Sequence, residues 1–91
     1  MPEEELQLLS ALLQAAYLQK DEPYARQILS EIRFYLHQRT VEVLEYDESV
    51  KNYFDRLPSK REGTIRPALV QSGVLLVKGL AAVPGDSPDI P

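Results

Sequence analysis

The stretch Gly63–Val83, GTIRPALVQSGVLLVKGLAAV, constrains the fold more than any other part of this chain. Two runs of β-branched and aliphatic residues flank Gln71-Ser72-Gly73, the pattern of an antiparallel hairpin closed by a short glycine-containing loop. Thr64 to Val70 forms one arm and Gly73 to Val83 the other. Pro67 has no N–H to give to a ladder, so the first arm is expected at a sheet edge, a candidate docking surface. Gly79, inside the second arm, marks a bulge or a close backbone approach. The upstream residues read as the scaffold that presents this hairpin.

That scaffold begins with a helix over Glu3–Gln19, where Leu6, Leu9, Leu13 and Tyr17 share one side and Leu8, Leu12 and Ala15 widen it. Three glutamates at its start favour the positive end of the helix dipole. Lys20-Asp21-Glu22-Pro23 breaks the pattern, with Pro23 suited to a new first turn. A second helix, from Tyr24 to about Gln38, has Ala25, Ile28, Leu29, Ile32, Tyr35 and Leu36 as its apolar stripe. The short link makes the pair an antiparallel hairpin. Apolar arcs this broad need more than one helical neighbour, so two copies are expected to meet as a four-helix bundle through Leu9, Leu13, Ile28 and Ile32. Size points the same way: 91 residues without a cysteine make a marginal monomer that neither disulfides nor a thiolate zinc site can reinforce.

After Arg39 the texture changes to that of a strand over Thr40–Tyr46. Asp47 or Ser49 is placed to cap a short helical turn in which Val50, Tyr53, Phe54 and Leu57 share a face, with Pro58 ending it and Ser59–Glu62 forming a charged loop. From Pro84 the composition is that of a disordered tail. The chain thus reads as an α+β protein: a dimerising helical hairpin over 1–39, a small antiparallel β domain over 40–83, and a tail over 84–91.

The chemical inventory points away from an enzyme. His37 is the single histidine, which rules out a multi-histidine metal site within one chain, and it suits the C-terminal end of a helix. Glu45, Asp47, Glu48 and Asp55 lie close in sequence but lack the ligand spacing and central glycine of a calcium loop. Gly63, Gly73 and Gly79 are too far apart for a phosphate-binding loop. No catalytic residue, metal, cofactor or small-molecule substrate is therefore expected. A formal net charge of −4 argues against nucleic acid as a partner. No apolar run has the length of a membrane span and the first residues are acidic, so no membrane partner and a cytoplasmic location are expected. Lys51, Arg56, Lys60, Arg61, Arg66 and Lys78 concentrate positive charge in the half that carries the hairpin, an asymmetry that can steer an acidic protein partner. The tyrosines and Phe54 fall at helix or strand spacing and read as core or interface.

Two helices before a small β domain that closes on this hairpin resemble the GrpE nucleotide exchange factors. The carrying stretch runs from Val41 to Val83: Thr40-Val41-Glu42-Val43-Leu44 resembles the strand that follows the family's helices, and Gly63-Thr64-Ile65 its Gly-Thr-Val segment. Gln71-Ser72-Gly73-Val74-Leu75-Leu76 partly matches a Gln-x-Gly-aromatic-x-Leu hairpin, with Val74 in place of the aromatic residue. Asn52-Tyr53 stands where a His-Glu or His-Gln pair is common, and Arg66-Pro67-Ala68 falls on the opposite arm from the family's Arg-Pro-Ala. The resemblance implies a short form without the long N-terminal stalk helix. It implies a homodimeric co-chaperone, in protein folding and the stress response, that binds the ATPase domain of a DnaK-type chaperone and promotes ADP release. On that footing Lys60, Arg61, Arg66, Gln71 and Lys78 are the expected partner contacts. The competing reading is a small dimeric adaptor that binds a peptide or protein through the exposed edge of its β domain, without exchange activity.

Overall fold

The computed structural model describes residues 2–84 and has an α+β architecture, two helices followed by two three-stranded sheets. Helix α1 spans Glu3–Leu18 and α2 spans Pro23–His37. Neither start has a side-chain cap; α1 relies on its acidic first turn, and α2 on Pro23, whose missing N–H would have been unpaired there in any case. Strand β1, Val41–Leu44, follows a turn in which Thr40 takes φ 61°, a left-handed conformation costly for a β-branched residue. The Gln71 side chain holds that turn, its Nε2 donating to Arg39 O at 2.9 Å and to Thr40 Oγ1 at 3.1 Å.

A kinked 3-10 segment, Glu48–Tyr53, comes next, with Asp47 accepting from the Ser49 N–H at 3.4 Å. Strand β2 then runs Phe54–Ser59. Here the reading of Phe54 and Leu57 as helical, and of Pro58 as its stop, is corrected. Tyr53, Phe54 and Leu57 happen to satisfy helical spacing, but Phe54 turns into the core while Leu57 and Pro58 stay exposed on an edge strand that tolerates a residue without an N–H. Only residues 60–62 are left as the connecting loop.

The expected hairpin is present but bent, and each arm serves both sheets. One arm is β3, Gly63–Arg66, and β4, Ala68–Gln71; the other is β5, Val74–Val77, and β6, Gly79–Pro84. One sheet has the order β1-β4-β5 and is antiparallel; the other has the order β2-β6-β3, with β2 parallel and β3 antiparallel to β6. The β part is therefore mixed rather than wholly antiparallel. At the hairpin tip Gln71 pairs with Val74 around Ser72 and Gly73, both at positive φ (50° and 78°), as a two-residue type I′ turn requires. At the bend Pro67 is fully buried, so its lack of an N–H falls where the chain changes sheets, not on an exposed edge. Gly79 is the close approach expected: a Cβ there would lie 2.4 Å from the Phe54 ring and 2.9 Å from Ala68 N.

Helices and sheets share one core. Leu6 and Leu13 of α1, Ile32 and Leu36 of α2, Val41, Leu69 and Val77 form a single buried cluster, so apolar contact is continuous across the expected boundary at residue 39. A second cluster, Phe54, Ala68 and Ala81, lies between the sheets, where Tyr46 meets Phe54 edge to face at a centroid distance of 5.4 Å. Successive residues of β4 serve the two clusters in turn, Ala68 one and Leu69 the other, as the pleat requires. Of the expected tail, Pro84 ends β6 and 85–91 lie outside the described residues. No described helix is long and apolar enough to cross a membrane.

Candidate partner-binding surfaces

The five residues expected to contact a partner fall in three places. Arg66 and Lys78 are together at the hairpin bend: Arg66 Nε donates to Lys78 O at 3.2 Å and its Nη1 to Gln14 Oε1 of α1 at 3.4 Å, while Lys78 Nζ pairs with Asp55 at 2.9 Å. Lys60 and Arg61 are exposed in the loop after β2, at the far end of the same sheet. Arg61 lines a cleft with the turn between the helices, whose Lys20, Asp21 and Glu22 form the opposite wall. Gln71 is spent on the turn between α2 and β1.

The dimerisation residues are likewise divided. Leu13 and Ile32 are buried in the core of a single chain and Leu9 packs against it, while Ile28 remains exposed. The apolar surface that these helices turn outward is a different set. Leu8, Leu12 and Leu18 of α1 are 60%, 45% and 75% exposed, and Tyr24 and Ile28 of α2 stand beside them. Leu12, Ala15, Leu18, Tyr24 and Ile28 line an apolar groove between the helices near their connecting turn. The breadth of the α1 arc was legible in sequence; which part of it the β sheet would cover was not.

A second groove follows β1, an outer strand of its sheet, and is lined by Arg33, Phe34, His37 and Val41–Leu44. Phe34 is 63% exposed there, a large ring on the solvent side of α2 that the apolar-stripe reading passed over.

Polar side chains tie the helices to the β part. The Tyr17 hydroxyl donates to Glu45 Oε2 at 2.6 Å and accepts from Arg33 Nη2 at 2.8 Å, and Arg33 also pairs with Glu45 at 3.2 Å. Burial, reinforced by the Glu45 carboxylate, pushes the Tyr17 hydroxyl up to about 12. At the other end of the helices the Tyr35 hydroxyl donates to Glu5, which raises its pKa, and the Arg39 guanidinium lies 3.6 Å from the ring centroid. Each of the four neighbouring carboxylates has such a local role: Glu45 in this cluster, Asp47 as a cap, Glu48 beside Lys51 at 3.8 Å, and Asp55 beside Lys78. Among the described residues no three His, Asp or Glu side chains are grouped to hold a metal ion.

No family model, curated protein or solved structure matches this chain.

Proposed function

We propose that this chain is a GrpE-like co-chaperone of the cytoplasm, a homodimer whose β part binds the ATPase domain of a DnaK-type chaperone and promotes release of ADP. One observation supports the reading: within the stretch that resembles the family, Val41 to Val83, residues 63–83 form one continuous bent hairpin laid across both sheets and backed by a helical hairpin. Such an element offers a rigid protein-binding surface with Ser72–Gly73 at one extremity and Lys60–Arg61 near the other. The mechanism needs no catalytic group. A partner that binds the open arrangement of a two-lobed ATPase more tightly than the closed one shifts the population toward it and weakens nucleotide binding reciprocally. The dimer is a four-helix bundle built from the outward faces of the two helices.

The test is stopped-flow release of a fluorescent ADP analogue from a DnaK-type ATPase domain. The expected result is an accelerated release, with nucleotide affinity weakened in the complex by about 5- to 150-fold, the usual range of such couplings. Lys60→Glu combined with Arg61→Glu changes two exposed side chains and is expected to slow association, as added salt should. Unchanged release at saturating protein would overturn the proposal. The adaptor reading would then gain, and the groove beside β1 favours it, because an outer strand next to an exposed phenylalanine suits strand addition by an extended peptide.

A further inference from the structure

We infer that β1 takes a further strand on its outer edge, an extended segment of another protein in which apolar and basic residues alternate. The inference rests on the peptide-binding reading of that edge and not on nucleotide exchange. Because β1 ends its sheet, antiparallel pairing with β4 engages the N–H and C=O of every second residue and leaves those of the residues between pointing outward. All four of its residues, Val41 to Leu44, line the open groove, so the edge can be reached along its whole length of about 13 Å. The outer strand β2 of the other sheet is defended, with Asp55, Arg56 and Pro58 among its six residues. In β1 there is no proline and one charge, Glu42.

The groove specifies what an added strand carries on each face. Val41 belongs to the cluster shared with α2, Val43 packs against it, and the largely exposed Phe34 lines the same groove from that helix. Side chains alternate along a strand, so every second residue of the added segment turns to this side, where Val43 and the Phe34 ring favour apolar groups. Glu42 stands on the opposite face of β1, exposed and without an ion pair among the described residues. Arg33, also in the groove, is already engaged by Glu45 and the Tyr17 hydroxyl. A lysine or arginine across from Glu42 therefore meets an unpaired opposite charge, whereas a carboxylate there meets its like. The net charge of −4 steers a basic segment in the same direction.

The probe is a fluorescently labelled nonapeptide of alternating valine and lysine with phenylalanine at its centre, titrated with the full chain by fluorescence anisotropy. Saturable binding is expected, with slowed amide hydrogen exchange in β1 and not in β2. Glutamate in place of every lysine should weaken binding about 2- to 10-fold, and Glu42→Lys should reverse that preference. Phe34→Ala should weaken binding about 2- to 10-fold, the loss expected for an aromatic contact. Both substituted residues are exposed, so helical circular dichroism should persist in each variant. N-methylation of one alternate set of peptide amides should abolish binding and of the other set should spare it, since only every second N–H of an added strand faces β1. Tolerance of both sets, or no binding of the nonapeptide at millimolar concentration, would overturn strand addition. An unchanged preference in Glu42→Lys would overturn the charge assignment. Protection of β1 that rises with protein concentration and needs no peptide would give the edge to a second copy and overturn the proposal. The assay contains neither an ATPase nor a nucleotide, so its failure and that of ADP release are separate results.

Discussion

Tyr17 shows how a single side chain can join three segments of this chain. Its ring is buried with α1, while its hydroxyl sits between Arg33 of α2 and Glu45, just after β1. The phenol is neutral in that site, and its pKa is raised from 10.0 to about 12. A group that binds its proton more tightly in the folded state contributes stability that is fully present below the unfolded pKa and is lost as pH rises through the folded one. The melting temperature of the wild type should therefore fall more steeply between about pH 10 and 12 than that of Tyr17→Phe, with a late-titrating tyrosinate absorbance that the variant lacks. Equal slopes would show that the hydroxyl contributes nothing in that window. Near neutral pH the substitution should cost about 1 kcal/mol, the usual value of one hydrogen bond, because the Arg33–Glu45 pair survives it. Helical spacing sets Tyr17 on the apolar side of α1, but it carries no sign of the polar partners of the hydroxyl, which lie 16 and 28 residues away. Gln71 is a similar case, a polar residue near a hairpin tip whose amide props up Thr40 in a left-handed turn.

Among the elements, the hairpin was legible as a hairpin and not as a bent one. Its turn signal is local, since only a residue pair that tolerates positive φ closes a two-residue loop, and Ser72-Gly73 supplies it. Its bend arises at Pro67 in one arm and at Lys78–Gly79 in the other, where the ladder passes from one sheet to the next. Gly79→Ala tests this corner. The added methyl group would meet the Phe54 ring and, less avoidably, the backbone nitrogen of Ala68, so rotamer changes cannot relieve it. A loss of about 1–3 kcal/mol or more in urea denaturation is expected, the range for overpacking a tight core. An unshifted midpoint would mean that the two backbones do not approach as closely as the corner requires. Strand β2 was misread for a physical reason of its own. A six-residue edge strand buried chiefly at its first residue, Phe54, carries almost no alternation, and its pairing partner β6 lies more than twenty residues downstream.

At the scale of the whole molecule, the helical hairpin and the sheets share one core, because the largest buried cluster draws residues from both helices and from β1, β4 and β5, and they are expected to unfold together. Leu13 sits fully buried at its centre. Leu13→Ala should cost about 2–5 kcal/mol, the range for truncating a core leucine. Helical circular dichroism and tyrosine fluorescence should report the same lowered midpoint, since the tyrosines sample both the helical and the β regions. Separate transitions would mean that the helices and sheets fold as independent units.

By itself the sequence determined the quantities that are local in the chain: two helices and their connecting turn, the change from helix to strand at residue 40, the two-residue hairpin turn, and the breadth of the apolar arcs. These follow from periodicity and backbone preference within a few residues of one another. Tertiary structure decided which part of each arc would be covered. The α1 helix has apolar residues around most of its circumference, and only the docking of α2, β3 and β5 against it turns Leu6 and Leu13 inward and leaves Leu8, Leu12 and Leu18 outside. The same docking set Arg66 and Lys78 together and carried Lys60 and Arg61 to the other end of the sheet, because side chains far apart in sequence are brought together by strand register, which alternation within one segment does not encode.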